Sequence, residues 1–478
     1  MAEGKLSTGI EGLDEILHGG IPQGFTVLVQ GEPGTGKTTL GLQFVYHGAT
    51  VEDQAGLVVT FEQPPERMCR DAANLGWDLR RAMEEGKLRI MATSPQAFVQ
   101  QLKEAGSPFH RAIMEMGVQR LVIDSVSHFS RITQDPVQLR EIVDLLINAL
   151  RRYELTTILT SEVYGVPGAV TLEEYAADAV IRLSYEPVDE LSRRRFLEVV
   201  KVRGHPFMTG KHGMSIGEGG IKVYPAPHPA RPKRVEVGPE VRKVTTGIEG
   251  LDIMLGGGLI EGFSALIAGT PGTGRTAFGI HFLAEGAKNG EMGLLVSLEE
   301  TPDKAFKCAK SIGIDLEGFV KEGKIIFIHR SPVVLDPLEI FDTIRRIVEK
   351  HPIRRVLIDP LTDIKTSIRD VAQFRDYLYA LVDLFSSRGI TSIFTAEVPP
   401  DTPETEVGDP NMAAIVDTII SLRFRRVEDQ IRRTICLVKV RGSAHDTGVR
   451  WFKITDEGVQ VAAAFIGVQE VPKVVLDL

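Results

Sequence analysis

The chain is poor in cysteine: three in 478 residues, Cys69, Cys308 and Cys436, far apart and with no CxxC pair. No zinc or redox framework follows from that spacing, and it suits a reducing compartment, where lone thiols serve as small core or surface residues. Excess positive charge is also missing. The formal net charge is −9, which argues against a broad basic surface that holds nucleic acid non-specifically. No run approaches the roughly 18 apolar residues that a bilayer-spanning helix needs. The opening MAEGKLSTGIEGLD shows no charged-then-apolar leader pattern. These absences predict a cytoplasmic protein with no membrane partner. What remains is ordinary globular material, 43% hydrophobic and 25% charged. A chain of this length exceeds one core and is expected to form two or three domains.

What is present, above all, is a duplication. LSTGIEGLDEILHGGIPQGFTVLVQGEPGTGKTTLGLQF in the first half matches VTTGIEGLDIMLGGGLIEGFSALIAGTPGTGRTAFGIHF in the second. Further on, LVVTFEQPPERM answers LLVSLEETPDKA, RLVIDSVS answers RVLIDPLT, and EVVKVRG answers CLVKVRG. Matches in register over this length mean two whole domains, not a solenoid of small units. The stretch APHPARPKRVEVGPE, residues 226–240, is rich in proline and charge and reads as a linker. The expected domains are therefore 1–225 and 241–464, with a short tail, 465–478. Within each copy, short β-branched runs such as TVLVQ, GLVVTF, RLVIDS and TTILTS alternate with amphipathic stretches such as DPVQLREIVDLLINALRRYE. That alternation predicts α/β domains, each a mostly parallel sheet flanked by helices.

GEPGTGKT, residues 31–38, follows an apolar strand and opens an apolar helix, as the GxxxxGK[ST] phosphate-binding pattern requires. Gly31, Gly34 and Gly36 let backbone N–H groups turn inward around phosphates, with Thr35 between them and Thr39 following in the helix. The helix N-terminus adds partial positive charge. Lys37 is expected to reach the β and γ phosphates of ATP, and Thr38 to ligate Mg²⁺. Asp124 ends the strand RLVID, at the sheet end where open α/β folds bind ligands, and is a second candidate for Mg²⁺. Glu62, after the strand LVVTF, is the candidate base that positions the attacking water. The second copy supplies Gly269, Gly272, Thr273, Gly274, Arg275, Thr276 and Ala277, with Asp359 for the metal and Glu299 and Glu300 as catalytic candidates.

Together with STGIEGLDEILHGGIPQG, TFEQPPE, NLGWDL, EGKL and the VKVRG strand, these motifs make the chain resemble the double-domain KaiC family of RecA-like ATPases over nearly its whole length. The resemblance implies two tandem RecA-like P-loop NTPase domains and a two-tiered hexameric ring, with ATP held between neighbouring subunits. It implies that Lys201 and Arg203, joined by Arg195, and in the second copy Lys439 and Arg441, act on the nucleotide of the adjacent subunit. A cation supplied in trans is worth roughly 10³–10⁵ in rate. Clock members of the family phosphorylate themselves on a Ser-Thr pair before an Asp-Thr-Ile-Ile strand. Here DTII stands at 417–420, but the matching pair is Ala413 and Ala414. A methyl group has no oxygen to take a phosphoryl group, so that reaction is not expected at this place.

Each copy departs once from the family pattern. The first has Gln63 where a second glutamate is usual; the second keeps Glu299 and Glu300 but has Arg275 in place of the P-loop lysine. A branched planar guanidinium is not a point charge on a flexible stem. It is expected either to crowd the phosphate nest or to point out of it. The first domain is thus read as the main ATPase and the second as a mainly nucleotide-binding site, in a regulatory ring with protein partners yet to be identified. Two other functions share such a core: a DNA-dependent motor or recombinase, and a protein kinase acting in trans. The loops VYGVPGAVTLEEYA and VPPDTPETEVGDPNMA, which would line a DNA channel, are acidic rather than basic, so nucleic acid is disfavoured.

Overall fold

The computed structural model describes residues 4–162, 172–190, 192–228, 242–399, 410–427 and 429–462. Most of the linker 226–240, the tail 465–478, and the loop segments 163–171 and 400–409 lie outside the described residues. The chain divides into two compact units, Met1–Ala226 and Pro227–Leu478.

Each unit is built on a nine-stranded sheet. Across the first sheet the strands run Gly220–Tyr224, Lys211–Gly217, Arg193–Val202, Ala179–Pro187, Thr26–Gly31, Thr156–Glu162, Arg120–Asp124, Gly56–Thr60 and Leu88–Ala92. Pairing is parallel from Ala179–Pro187 to Leu88–Ala92 and antiparallel through the rest. The second sheet repeats this order, with Ser264–Gly269 in the place of Thr26–Gly31, between Thr418–Val427 and Thr391–Glu397. These are the two mostly parallel, helix-flanked sheets that the alternating pattern predicts.

The period of two along each strand sorts side chains into two cores. Val27, Val29, Val58 and Val122 pack on one face with Leu40 and Phe44 of the helix Lys37–Thr50. Leu28, Leu57, Val59 and Leu121 pack on the other with Phe98, Phe109, Leu146 and Leu150. In the second unit Ile267 joins Phe278 and Phe282, while Leu266 and Ala268 join Leu378 and Phe385. Strands apolar on both faces are what a sheet covered by helices on both sides needs.

Several helices begin with a side-chain cap. Asp135, Ser94 and Ser107 accept a hydrogen bond from the first turn and precede Pro136, Pro95 and Pro108. The helices Lys37–Thr50 and Arg275–Lys288 do not. Their N-cap residues are Gly36 and Gly274, at φ 108° and 105°, and neither has a side-chain cap. No helix among the described residues is long and apolar enough to cross a membrane.

An arginine ties each unit together from inside. Arg120 is fully buried; its Nε donates to Gln54 Oε1 at 2.7 Å, and its Nη1 to the carbonyls of Ser7 and Phe44 at 2.8 and 2.9 Å. Its guanidinium lies 4.6 Å from the Phe44 ring centre, and burial pushes its pKa down to about 10. Arg355 makes the matching contacts, with Glu291, Thr245 O, Phe282 O and the Phe282 ring. Both arginines press against a glycine of the P-loop helix: a Cβ on Gly48 would sit 2.3 Å from Arg120 Cδ, and one on Gly286 2.5 Å from Arg355 Cδ.

That contact sets the sign of a substitution. Alanine gains about 1 kcal/mol over glycine inside a helix, but overpacking costs about 1–3 kcal/mol, and here it also displaces a hydrogen-bonded buried cation. Gly48→Ala and Gly286→Ala are each expected to destabilise, lowering the midpoint of chemical denaturation. A midpoint unchanged or raised would show that the arginine yields at no cost.

Candidate functional site

The first-turn N–H groups of an uncapped helix have no partner within the helix and favour an anion. In the first unit this helix follows the loop Glu32–Gly36, which is closed by a Thr35 Oγ1 bond to Glu32 O at 2.8 Å. Gly34 and Gly36 both have positive φ, 80° and 108°. A Cβ on Gly36 would also meet Ile216 Cδ1 at 2.7 Å, so both conformation and packing demand glycine there. Thr38 and Thr39 follow in the first turn, half-buried. The second loop has the same build: Thr273 Oγ1 bonds Thr270 O at 2.7 Å, Gly272 and Gly274 have φ 80° and 105°, and Ala277 takes the place of Thr39.

Strands beside the loop bring carboxylates to it. Thr38 Oγ1 donates to Asp124 Oδ2 at 2.9 Å, and Thr160 Oγ1 holds the other Asp124 oxygen at 2.5 Å. In the second unit Thr276 Oγ1 donates to Asp359 Oδ2 at 2.8 Å, and Thr395 holds Asp359 Oδ1. Burial raises the Asp359 pKa, opposed by these two threonines. The peptide bond after each aspartate is cis, Asp124–Ser125 and Asp359–Pro360. Among the described residues no group of three or more His, Cys, Asp or Glu side chains stands ready to hold a metal ion. A Thr–Asp pair suits Mg²⁺, which takes few protein ligands and completes its shell with phosphate and water.

Lys37 is buried, and its Nζ donates to the carbonyls of Gly31 and Glu32 at 2.8 and 3.0 Å. Burial lowers its pKa, opposed by the nearby Glu162, Asp124 and Glu62. Glu62 is largely exposed and lies 3.5 Å from His128 Nε2. Gln63 donates its N–H to Thr60 Oγ1 at 3.1 Å, which fixes the turn that carries the pair.

Arg275 neither crowds the nest nor points out of it. It turns back toward the sheet, where Nη1 donates to Gly269 O and Nη2 meets Glu397 Oε1 at 2.7 Å. Its side chain is 10% exposed. Around it the charge balance has changed. Asp363 occupies the repeat position of His128, and its pKa is raised by burial first, then by Glu299, Glu397 and Asp359. Glu299 is exposed; Glu300 pairs with Lys304 at 3.3 Å, and its Oε2 is buried without a partner.

The basic residues fall in two places. Arg195 lies over the Tyr185 ring, and its Nη2 is 3.5 Å from Gly34 O of its own loop. Arg433 stands in the same relation to Phe424 and to Gly272 O, at 3.2 Å. Lys201 is elsewhere: it pairs in register with Val180, which pairs with Leu28, three residues before the strand end Gly31. At about 3.3 Å per residue it stands roughly 10 Å down the sheet from its own loop. There Lys201 and Arg203 donate to the carbonyls of Glu174 and Tyr175, both at 2.7 Å. Lys439 and Arg441 likewise hold the carbonyls of Ala413 and Ala414, at 2.7 and 2.9 Å.

Glu162, Glu397, His128, Asp363 and Arg433 are the residues near the loops that sequence reading did not single out. A signal existed for the first two: TTILTSE and TSIFTAE align in the repeat, and each ends in glutamate. Their importance depends on strand order, since Glu162 pairs with Gly31 and Glu397 with Gly269.

Comparison with known proteins agrees with this architecture. A family model for the KaiC ATPase matches twice, over residues 6–228 and 244–464. The chain is similar to the circadian clock oscillator protein KaiC of Picosynechococcus sp., with 32% identity over 96% of this chain and 90% of that protein. It is likewise similar to KaiC of Thermostichus vulcanus, with 32% identity over 96% and 89%. KaiC of Prochlorococcus marinus shares 30% identity over 96% of this chain and 93% of its own.

Burial first, and then the carboxylates of Glu299, Glu397 and Asp359, raise the Asp363 pKa. The folded protein binds the Asp363 proton more tightly than the unfolded chain. Stability from this group is therefore full below the ordinary carboxylate pKa and is lost as pH rises through the raised one. Asp363→Asn is expected to raise the thermal midpoint at pH 7 and to have no effect near pH 3. Equal midpoints at pH 7 would overturn this reading.

Proposed function

The chain belongs to the KaiC family of ATPases, and from that premise we propose that it is a slowly ATP-hydrolysing ring whose nucleotide state is read by protein partners. In this reading the first unit is the principal ATPase and the second mainly binds nucleotide. One observation carries the division: Lys37 rests on two backbone carbonyls, whereas Arg275 is ion-paired with Glu397. A lysine that leaves two carbonyls gives up neutral acceptors; an arginine that leaves Glu397 gives up a charge.

The residues suit the chemistry as follows. The open helix starts at Lys37 and Arg275 receive the phosphates. Thr38 with Asp124, and Thr276 with Asp359, would hold Mg²⁺, and a bound Mg²⁺ would supply charge neutralisation to the phosphate oxygens. Glu62 orients the attacking water and takes its proton as the bond between the β-bridging oxygen and the γ phosphorus breaks. His128, at 3.5 Å, gives the Glu62 carboxylate a neighbour that limits its motion. Lys201 and Arg203, distant from their own loop, serve the nucleotide of the next subunit in a hexamer, as Lys439 and Arg441 do in the second tier. Ala413 and Ala414 leave no hydroxyl for self-phosphorylation at the clock-type position.

Phosphate release separates the two sites. Lys37→Ala is expected to remove most turnover, roughly tenfold or more, while Arg275→Ala changes it by less than about threefold. The reverse pattern would exchange the roles of the two units. Light scattering is expected to show a ring with ATP and Mg²⁺; a monomer under those conditions would refute action across a subunit boundary.

A further inference from the structure

The second loop differs from the first in more than its cation. Glu162 and Glu397 stand at the same register, opposite Gly31 and Gly269, at the ends of equivalent strands. Yet the lysine in the first loop bonds carbonyls, while the longer planar fork of Arg275 spans Gly269 O and Glu397 together. Glu397 remains about half exposed, at the strand end opposite Gly269 where the second loop begins. Other acidic groups stand near it: Asp363 feels both Glu299 and Glu397.

We propose that Glu397 gates the second site: its carboxylate holds Arg275 in place of a phosphate, and a nucleoside triphosphate must take the arginine from it. This rests on the reading that the second unit binds nucleotide. The exchange is costly for a physical reason. When the guanidinium moves to a phosphate, Glu397 is left with no counter-ion beside Asp363 and Glu299, in a site that has also just gained a polyanion. The first site has no such step, because Lys37 leaves only carbonyls, and the position of Asp363 is held there by His128, 3.5 Å from Glu62. Glu397 is therefore a positioning residue. It sets the affinity of the second site through Arg275, and a lysine at 275 would escape it.

The test uses the full chain carrying Lys37→Ala, which removes the first site from the measurement, and titrates a fluorescent mant-ATP with Mg²⁺. Adding Glu397→Gln keeps the shape and removes the charge; Kd is expected to tighten roughly tenfold, the scale of one charge-assisted hydrogen bond. In a chain that also carries Arg275→Lys, the same Glu397→Gln change is expected to do nothing. That absence separates an effect through the arginine from a general loss of negative charge. An unchanged or weaker Kd on Glu397→Gln, with saturable binding present in both proteins, would refute the gate and leave the nucleotide-binding reading standing. Equal tightening with lysine at 275 would also refute it. No saturable binding in any of the variants would overturn the gate together with the nucleotide reading on which it rests.

Discussion

Both sites depend on a helix that starts without a cap. A helix usually satisfies its first N–H groups with a serine or aspartate side chain, as Ser94, Ser107 and Asp135 do here. Gly36 and Gly274 carry no side chain that could do so, and their left-handed backbone turns the chain sharply from strand to helix. The donors are left open at the end of an inner strand of the sheet. Everything else near the site is placed relative to that opening: Asp124 and Glu162 by strands that share the sheet, Glu62 and His128 by the turns that leave it.

Duplication kept this scaffold and changed its charges. The buried arginines, the threonine–aspartate pairs, the cis bonds and the arginine over an aromatic ring recur in both units. What differs is lysine against arginine in the loop, Gln63 against Glu300, and histidine against aspartate after the strand that ends in Asp124 or Asp359. None of these changes disturbs the loop backbone, since Gly34 and Gly272 share one φ and Gly36 and Gly274 nearly so. The second site thus gathers Glu299, Glu300, Asp359, Asp363 and Glu397 into one acidic group, with Arg275 ion-paired to Glu397. Two sites with one geometry can hold the same ligand with different affinity, because long-range charge acts without moving atoms.

Legibility followed locality. GEPGTGKT and its copy announce themselves because all their parts lie within eight residues, and the aspartates because they end apolar runs that repeat. Glu397 was invisible for the opposite reason. A glutamate after TSIFTA is unremarkable until the strand Thr391–Glu397 is found beside Ser264–Gly269. The fate of Arg275 was likewise open, because whether a guanidinium crowds, leaves or folds back depends on an acceptor more than a hundred residues away. Lys201 and Arg203 were legible as a pair from the family pattern, but that they stand down the sheet from their own loop, on the carbonyls of Glu174 and Tyr175, was not.

The amino-acid sequence by itself determined the duplication, the α/β class and the two phosphate-binding loops, because these rest on periodicity, glycine at positive φ and short-range spacing. Only the tertiary structure decided which charges meet. Strand order is a non-local choice, and it places Glu397 within reach of Arg275 and Asp363 within the field of Glu299. Electrostatic partners are set by distance in space, and distance along the chain carries almost no information about it.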